Sequence, residues 1–315
     1  MTMAMRDLDK RPLGATGLLV GLLCAGGAIL AGADRALGYA VPEERALATI
    51  RAVFDSPINF LDTAAIYGDG ASERLIGRVI RERGGLPPGF VLATKIDRDR
   101  ESGDFSGAQA RRCVERSLEH LGLDRLDLVH IHEPERATFE ALTGPGGALD
   151  VLLDYQRRGV IGHLGVAGTP IDLLIRYVET GHFAVALTHN RHTLLDRAAA
   201  PLLDIAATRG VAVVNGAPYG SGILAKGAAS GARYGYREPT PEVIARVRAI
   251  EAICGRYGVP LGAAALGFSL REPRIASTIV GISRPERVAE TLAWASWPIP
   301  AACWAELDAL DAPRR

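Results

Sequence analysis

The sequence predicts an α/β protein, a closed (β/α)8 barrel of the TIM type that forms one domain over residues 1–315. Eight short apolar runs alternate with longer amphipathic stretches, and no Pro- or Ser-rich linker divides them. Such alternation indicates a parallel sheet covered by helices. An open, dinucleotide-binding sheet is disfavoured, because Gly68-Asp69-Gly70 and Gly220-Ser221-Gly222 lack a third glycine at the required spacing.

The elements follow from apolar periodicity and from the residues that begin and end helices. Pro42 with two acids behind it indicates a helix start, and Gly122 and Gly159 indicate helix ends. The predicted strands are Leu19–Cys24, Asn59–Asp62, Phe90–Thr94, Leu126–His132, Ile161–Val166, Ala184–Thr188, Val211–Asn215 and Ile275–Val280. The predicted helices are Pro42–Phe54, Ser72–Arg83, Ser106–Leu121, Leu149–Arg158, Ile171–Glu179, Arg197–Arg209, Pro241–Tyr257, Leu261–Arg271 and Arg284–Ala295.

Composition limits the partners that this chain is expected to have. Lys+Arg and Asp+Glu are both 36, so there is no global electrostatic case for binding nucleic acid or an anionic membrane surface. The 4 cysteines are scattered and form no CxxC pair, which argues against a disulfide framework or a zinc site. We therefore expect a reducing, cytoplasmic location.

An uncharged segment, residues 12–33, has two interpretations. Basic residues precede it and Ala31-Gly32-Ala33 resembles a cleavage region, as in an export signal. Alternatively, the same segment forms a turn at residues 14–17, a buried strand and a glycine loop, because glycines interrupt the apolar run. The second interpretation is favoured.

Polar side chains end three consecutive predicted strands, where barrel enzymes place their active sites. Asp62 ends the second strand and Tyr67 lies in the loop behind it, Lys95 follows the third strand, and His132 ends the fourth. A phenol with a pKa of about 10 is a poor acid or base at neutral pH. A neighbouring ammonium, held by Asp62, would favour phenolate, while the histidine orients a substrate oxygen. Together these residues predict a proton-transfer site that works beside a hydride carrier.

The chain resembles the aldo-keto reductase family over nearly its whole length. The resemblance lies in residues 11–18, in Asn59–Gly68 with Ser72–Gly77 behind it, in Ala93-Thr94-Lys95, and in Asp127–Pro134. It continues through Gly165-Val166 and Ala217–Gly222 to Ile279-Val280-Gly281. The resemblance implies that Tyr67 is the general acid/base, that Lys95 and Asp62 tune it, and that His132 orients the substrate.

The resemblance also implies that NAD or NADP lies extended across the barrel mouth. Gly26, Gly27 and Asp62 would lie beside it. The pyrophosphate would be bound by the loop from Gly220 to Leu224, because backbone amides in such a loop can donate hydrogen bonds to an anion. The residues implied for cofactor binding in the second half of the barrel are Ala217, Pro218, Gly220, Ser221, Gly222, Leu224, Gly281, Ser283, Arg287 and Glu290.

Some positions depart from the family pattern. Ala167-Gly168 stands where many members hold the carboxamide with Ser-Asn, and Asn215-Gly216 stands where a tyrosine usually stacks on the nicotinamide. A glutamine expected after the sixth strand is replaced near His189. Gly281 replaces a lysine that is common in NADP-preferring members, which favours NAD slightly, although Arg287 remains as a candidate for a 2′-phosphate.

These departures, with residues 192–196 and 215–218, resemble the branch of D-threo-aldose (L-fucose) 1-dehydrogenases and pyridoxal 4-dehydrogenase. That branch implies oxidation of a sugar hemiacetal or an alcohol, or reduction of an aldehyde, as a monomer or small homo-oligomer. Two alternatives stay open: a general NADPH-dependent aldehyde/ketone reductase, and a cofactor-binding regulatory subunit with little turnover, as among potassium-channel β-subunits.

A metal-dependent hydrolase is the remaining alternative, since His130 and His132 form an HxH pair on one strand. The pair is on the fourth strand, and only His163, His189 and His192 follow as nearby ligands, so no metal site is predicted. His130 is expected to pack near the barrel layer. Arg191 and His192 are expected to have either a structural role or a contact with substrate or cofactor.

Overall fold

A computed structural model describes residues 9–31, 33–34 and 39–310. Eight parallel strands form a closed barrel in which each strand pairs with the next along the chain and the last pairs with the first, which confirms the predicted fold class. The strands are β1 (Leu23–Gly26), β2 (Phe60–Asp62), β3 (Val91–Ile96), β4 (Leu126–His132), β5 (Ile161–Gly168), β6 (Val185–His189), β7 (Ala212–Gly216) and β8 (Ile275–Gly281).

Helices follow each strand and pack outside the barrel, and their ends show the expected capping. The Ser106 and Thr240 side chains accept hydrogen bonds from amides of the first turn, and Gly122 ends its helix with φ of 69°. The helices are Glu43–Phe54, Ala71–Arg83, Gly107–Leu121, Phe139–Thr143, Ala148–Arg157, Ile171–Glu179, Ala200–Thr208, Ile223–Lys226, Pro241–Arg256, Leu261–Leu270, Glu286–Ala295 and Ala301–Ala309. Among the described residues, no helix is both long and apolar enough to cross a bilayer.

The first predicted strand, Leu19–Cys24, is wrong in extent. Leu19–Gly21 instead pairs antiparallel with Lys10–Pro12, and only Leu23–Gly26 enters the barrel. The hairpin places Leu13 and Val20 in the cluster that fills the barrel interior. The apolar run therefore contributes both to the hairpin and to the first barrel strand. The turn expected at residues 14–17 is present, whereas the single buried strand expected after it is divided between the hairpin and the barrel; Gly32, in the expected glycine loop, lies outside the described residues.

Two predicted helices begin too early, and proline explains both. The helix predicted from Arg197 starts at Ala200, which puts Pro201 in the first turn, where its missing N–H costs nothing. The helix predicted from Arg284 starts after Pro285, because the residue before a proline avoids helical geometry. The helices Phe139–Thr143, Ile223–Lys226 and Ala301–Ala309 were not predicted, since none carries a clear amphipathic period.

Alternate residues of the strands fill the barrel, while the other face packs against the helices. The interior cluster includes Cys24, Phe60, Ala93, Leu128 and Val214, each nearly inaccessible to solvent. The centre of the barrel is thus a core and not a channel. Chemistry is confined to the rim, and the rim formed by the carboxyl ends of the strands carries the polar side chains.

Asn59 ties the bottom of the barrel together, opposite the rim that holds Asp62. Its amide nitrogen donates to the carbonyls of Leu19 (2.9 Å) and Gly89 (3.0 Å), and its oxygen accepts from the amide of Gly21 (2.8 Å). This asparagine therefore links the N-terminal hairpin to β2 and to the loop before β3.

We expect Asn59→Ala to lower the free energy of unfolding by about 2–4 kcal/mol, since three hydrogen bonds of about 1 kcal/mol each are lost. Urea denaturation measures the change. The kcat/KM should remain that of the parent, because Asn59 lies at the end of β2 away from the site. A large fall in activity without a fall in stability would contradict this structural role.

Candidate active site

Tyr67, Lys95 and Asp62 meet at the carboxyl ends of β2 and β3. The Lys95 Nζ atom donates to Asp62 Oδ1 (2.5 Å), to the carbonyl of Thr63 (2.6 Å) and to Tyr67 Oη (3.2 Å). The ammonium also lies 4.7 Å from the centroid of the Tyr67 ring. The three donors of the ammonium are therefore all engaged, and its position relative to the phenol is fixed.

Lys95 is a buried cation, with 1% of its side chain exposed. Burial by itself lowers the pKa of an ammonium, but the charge of Asp62 and the hydrogen bonds to Asp62 and Tyr67 outweigh burial and raise the pKa of Lys95. Lys95 thus remains charged at neutral pH. Asp62 holds this charge in place, as the sequence indicated.

Tyr67 differs from the expectation that a neighbouring ammonium favours phenolate. Burial raises the pKa of Tyr67 above its ordinary value, and the opposing charge of Lys95 does not compensate for it. The neutral phenol is therefore the stable form in this structure. Its hydroxyl is a proton donor held by a permanent cation.

His132 lies beside this group and makes a contact that the sequence analysis missed. Its Nδ1 atom is 2.6 Å from Asp97 Oδ1, and its ring stands perpendicular to that of Tyr67, with centroids 5.8 Å apart. Asp97 follows Lys95 by two residues, so strand alternation directs both side chains to the same face. That spacing was the available signal, but β3 was predicted to end at Thr94.

The start of helix Ala71–Arg83 braces the rim. Ser72 Oγ donates to the carbonyl of Gly27 (2.9 Å) and lies 2.8 Å from Thr63 Oγ1. Buried Glu73 accepts from Thr94 Oγ1 at 2.6 Å. The Ser-Glu pair of the sequence motif therefore connects this helix to the ends of β1, β2 and β3.

The predicted cofactor residues Gly26, Gly27 and Gly281 lie together on the same rim as Asp62. Gly26 is in register with both Gly281 and Asp62, so the ends of β8, β1 and β2 are neighbours. A Cβ on Gly27 would come within 2.8 Å of Ser72 Oγ, which explains why glycine occupies this position. Asp62 Oδ2 is buried without a partner among the described residues, so it is an acceptor open to a bound group.

The loop after β7 has the local geometry expected of an anion-binding turn. Ala217, Gly220, Ser221 and Gly222 all have positive φ, between 54° and 104°. The amides of Gly220, Gly222 and Leu224 already donate within the turn, to Ala217 (3.0 Å), Tyr219 (2.9 Å) and Tyr219 (3.1 Å). A pyrophosphate therefore cannot rely on all the amides of this run without a change in the turn.

The segment after this turn, residues 227–236, lies against it. The Tyr234 ring is the nearest neighbour of Gly220, and the Tyr236 amide donates to Ser221 Oγ (2.9 Å). The amide of Ala228 donates to Glu251 Oε1 (3.3 Å), which joins the segment to helix Pro241–Arg256. The segment therefore packs over the loop after β7.

Ser283, Arg287 and Glu290 follow β8, as the resemblance implied. Arg287 Nε lies 3.4 Å from Glu290 Oε2, and its guanidinium is 5.4 Å from the Trp294 ring. Arg284 Nη2 also approaches Glu290, at 3.9 Å. Both arginines of this segment therefore lie near the Glu290 carboxylate.

The departures in the expected nicotinamide pocket have structural reasons. Asn215 points away from the barrel and donates to the His192 carbonyl (2.9 Å) and Ser269 Oγ (2.8 Å), so Gly216 is the residue of this pair at the mouth. A Cβ on Gly168 would lie 2.9 Å from Glu135 Oε2 and 3.1 Å from Pro134. A side chain at residue 168 would therefore require Glu135 and Pro134 to shift.

His130 and His192 are both packed inside the protein. His130 is buried inside the barrel, where burial lowers its pKa well below the ordinary value, as expected for a layer residue. His192 stacks on Phe268 at 4.8 Å, and burial lowers its pKa to about 4. Arg191 Nη1 bonds Asp196 Oδ2 at 3.1 Å, which is a structural contact. Within the described part of the chain, no three His, Cys, Asp or Glu side chains are grouped as metal ligands.

A closed barrel whose rim holds a partly buried phenol, a buried ammonium and a buried carboxylate, with an imidazole beside them, defines a class of proton-transferring oxidoreductases. The chain belongs to the aldo/keto reductase family, whose model matches residues 22–312. This membership makes it an NAD(P)-dependent oxidoreductase acting on a small-molecule substrate.

Named relatives cover almost the whole chain. It is 30% identical to pyridoxal 4-dehydrogenase of Microbacterium luteolum, over 97% of this chain and 98% of the relative. It is 31% identical to D-threo-aldose 1-dehydrogenase of a Pseudomonas species (93% and 94% covered) and 28% identical to L-galactose dehydrogenase of Arabidopsis thaliana (92% and 88%). An aldo-keto reductase structure from Bacillus halodurans has the same fold, with a TM-score of 0.76 at 23% identity and 96% of both chains covered.

Proposed function

We propose that this protein oxidises the ring hemiacetal of an aldose, or a related alcohol of the pyridoxal type. The hydride removed from the substrate would pass to a nicotinamide. The observation that carries the proposal is the fixed Tyr67–Lys95–Asp62 arrangement at the rim. The names of the relatives support the substrate class, since two of the three act on aldoses and one on pyridoxal.

Four residues of this chain perform the proton chemistry in the proposal. A bound nicotinamide accepts the hydride in oxidation and returns it in reduction. For oxidation, Tyr67 first gives its own proton to solvent, and the phenolate Oη then takes the hydroxyl proton of the substrate; in reduction the neutral phenol donates that proton. Lys95, 3.2 Å from Oη, stabilises the negative charge that Tyr67 gains, and Asp62 keeps Lys95 in place. His132 orients the substrate oxygen.

The residues present fit a nicotinamide cofactor. The glycines at the ends of β1 and β8, the unpartnered acceptor Asp62 Oδ2 and the turn after β7 all lie on the rim formed by the carboxyl ends of the strands. Gly26, Gly27 and Asp62 would contact its reactive end, residues 217–224 the pyrophosphate, and Gly281, Ser283, Arg287 and Glu290 the adenosine. The preference proposed is for NAD, because Glu290 already pairs with Arg287 and Gly281 offers no cation.

We expect a lower KM for NAD+ than for NADP+. In Arg287→Ala, the KM for NAD+ should stay within about twofold, whereas that for NADP+ should rise about tenfold if the guanidinium meets a 2′-phosphate, in line with a charge-assisted hydrogen bond of 1.5–3 kcal/mol. Arg111→Ala, an exposed change on helix Gly107–Leu121, serves as the control. A lower KM for NADP+ in the parent protein would overturn the preference.

A substrate panel tests the reaction itself. The parent protein is mixed with NAD+ or NADP+ and L-fucose, D-arabinose or pyridoxal, and the absorbance of the reduced cofactor is followed. Turnover of a sugar or of pyridoxal is expected. Turnover only of simple aldehydes with NADPH would favour a general reductase, and tight cofactor binding without any turnover would favour a regulatory subunit.

The proposal extends to the setting of the protein. All four cysteines are buried free thiols, which agrees with a reducing compartment, and we place the protein in the cytoplasm. Residues 1–315 are taken as one aldo-keto reductase domain that acts as a monomer or small homo-oligomer in carbohydrate metabolism. Gel filtration and fractionation of the native host test these assignments.

A further inference from the structure

Asp97 is a buried carboxylate at the rim to which the tyrosine–lysine chemistry assigns no role. Its side chain is 5% exposed, and it contacts His132 Nδ1 through Oδ1 (2.6 Å) and the amide of Ile66 through Oδ2 (3.3 Å). Its own carbonyl accepts from Gln109 Nε2 (3.1 Å) and Cys113 Sγ (3.4 Å). Backbone and side chain are thus both held in place, by contacts from β4, from the loop after β2 and from helix Gly107–Leu121.

The contact determines which nitrogen of His132 faces the substrate. An ionised carboxylate only accepts hydrogen bonds, so the hydrogen between the two groups is carried by Nδ1. The remaining nitrogen, Nε2, is the one left for a substrate oxygen. A neutral ring with hydrogen on Nδ1 has no hydrogen on Nε2, so only the protonated ring donates there.

Charge at the rim favours this protonated ring. Three carboxylates are buried among the described residues of this rim: Asp62, Glu73 and Asp97. Lys95 contacts Asp62 at 2.5 Å and His120 Nδ1 lies 3.6 Å from Glu73 Oε2, so both of these basic side chains face carboxylates other than Asp97. A buried anion is costly unless a cation or hydrogen-bond donors compensate it. His132, with 13% of its side chain exposed, is the titratable group in direct contact with Asp97.

The other groups that face His132 leave this balance unchanged. Lys95 and Asp62 offset each other from β3 and β2, and Tyr67 is a neutral phenol beside them. His130 on the same strand and His189 on β6 are both neutral, since burial lowers the pKa of His130 well below its usual value and that of His189 to about 4. Asp97 is therefore the anion that compensates His132.

We propose that Asp97 is a positioning residue that holds His132 as a doubly protonated ring, with Nδ1–H on the carboxylate and Nε2–H donating to the substrate oxygen. Tyr67 then exchanges the proton with that oxygen, while the imidazolium stabilises the charge that develops on it. The inference rests on the proposed function. It adds the His132–Asp97 pair to the ionic groups already described, Lys95 and Asp62.

Asp97→Asn separates charge from shape, because the amide oxygen still accepts from Nδ1–H but the anion is gone. We expect kcat to fall about 10²-fold, the scale of losing one donor to a developing oxyanion, with the cofactor Kd unchanged. Because activity requires the protonated ring in the proposal, its decline at rising pH should begin at lower pH in the variant, which lacks the anion beside the ring. An unchanged pH profile, whatever the change in kcat, would overturn the proposal.

Nitrogen NMR of ¹⁵N-histidine-labelled protein without cofactor or substrate tests the same point independently of turnover. His132→Asn identifies the His132 signals among those of the 7 histidines. Both ring nitrogens should be protonated in the parent protein at a pH where Asp97→Asn shows a neutral ring. A parent ring that is neutral at pH 6, or that carries its hydrogen on Nε2, would refute the inference even if the substrate panel succeeds.

Asp127→Asn is the matched control. Its carboxylate also accepts a hydrogen bond, from the amide of Leu92 (3.2 Å), but it lies near the opposite end of β4. It should change neither the pH profile nor the His132 signals. If Asp97→Asn does not fold, the ring state of the parent protein still decides between the two outcomes.

Discussion

Tyr67→Phe is expected to lower kcat by about 10²- to 10⁴-fold, the range in which a positioned acid/base contributes. The change removes only the hydroxyl that lies 3.2 Å from Lys95 Nζ. The ring contacts with His132 and with the ammonium remain possible, so fold and cofactor affinity should be retained. Steady-state kinetics and cofactor titration by fluorescence measure the two effects separately.

Tyr177→Phe is the matched control for this change. Tyr177 is fully buried and its hydroxyl has no partner among the described residues, but it packs against Phe139 and Phe183 far from the rim. Its kcat should equal that of the parent. Retention of more than a tenth of the parent kcat by Tyr67→Phe would show that another group moves the proton.

Lys95→Met is expected to cost both activity and stability. Removing the ammonium leaves the Asp62 carboxylate, 3% exposed, without the cation that lies 2.5 Å from it. Breaking a buried ion pair in this way costs about 3–5 kcal/mol, because one charge remains uncompensated. Urea denaturation of the parent and the variant should show this loss with an unchanged m-value.

The double variant Asp62→Asn with Lys95→Met distinguishes the loss of stability from the loss of activity. Without the carboxylate no buried charge is left, so part of the lost stability should return. Activity should not return, since Tyr67 still lacks its cation. Lys10→Met, at an exposed position of the N-terminal hairpin, should leave both quantities unchanged. Equal stability of Lys95→Met and the parent would mean that Asp62 is protonated in the folded protein.

Much of the barrel could be predicted because its signals are local. Strand β4 was predicted with its observed bounds, Leu126–His132, since an apolar run there ends at a polar pair. The helix predicted from Ser106 is capped by that serine, and it ends at Gly122 as expected. Periodicity and capping act over a few residues, so the sequence contains them directly.

The first strand could not be predicted correctly from local pattern. Leu19–Gly21 and Leu23–Gly26 are both apolar, yet one closes the bottom of the barrel and the other belongs to its wall. The difference depends on partners distant in sequence: Lys10–Pro12 for the hairpin, and β2 and β8 for the barrel strand. An apolar run indicates burial but does not specify the strand that pairs with it.

The sequence by itself determined the fold class and the meeting of Asp62, Tyr67, Lys95 and His132 at one rim, because parallel strands in a barrel bring their carboxyl ends together. Only the tertiary structure decided how these groups are charged. Burial keeps Tyr67 a neutral phenol despite Lys95. Asp97, two residues beyond Lys95, contacts His132 at the end of the neighbouring strand β4. Desolvation and contact distance depend on the packed surroundings of a group, and residue spacing does not supply them.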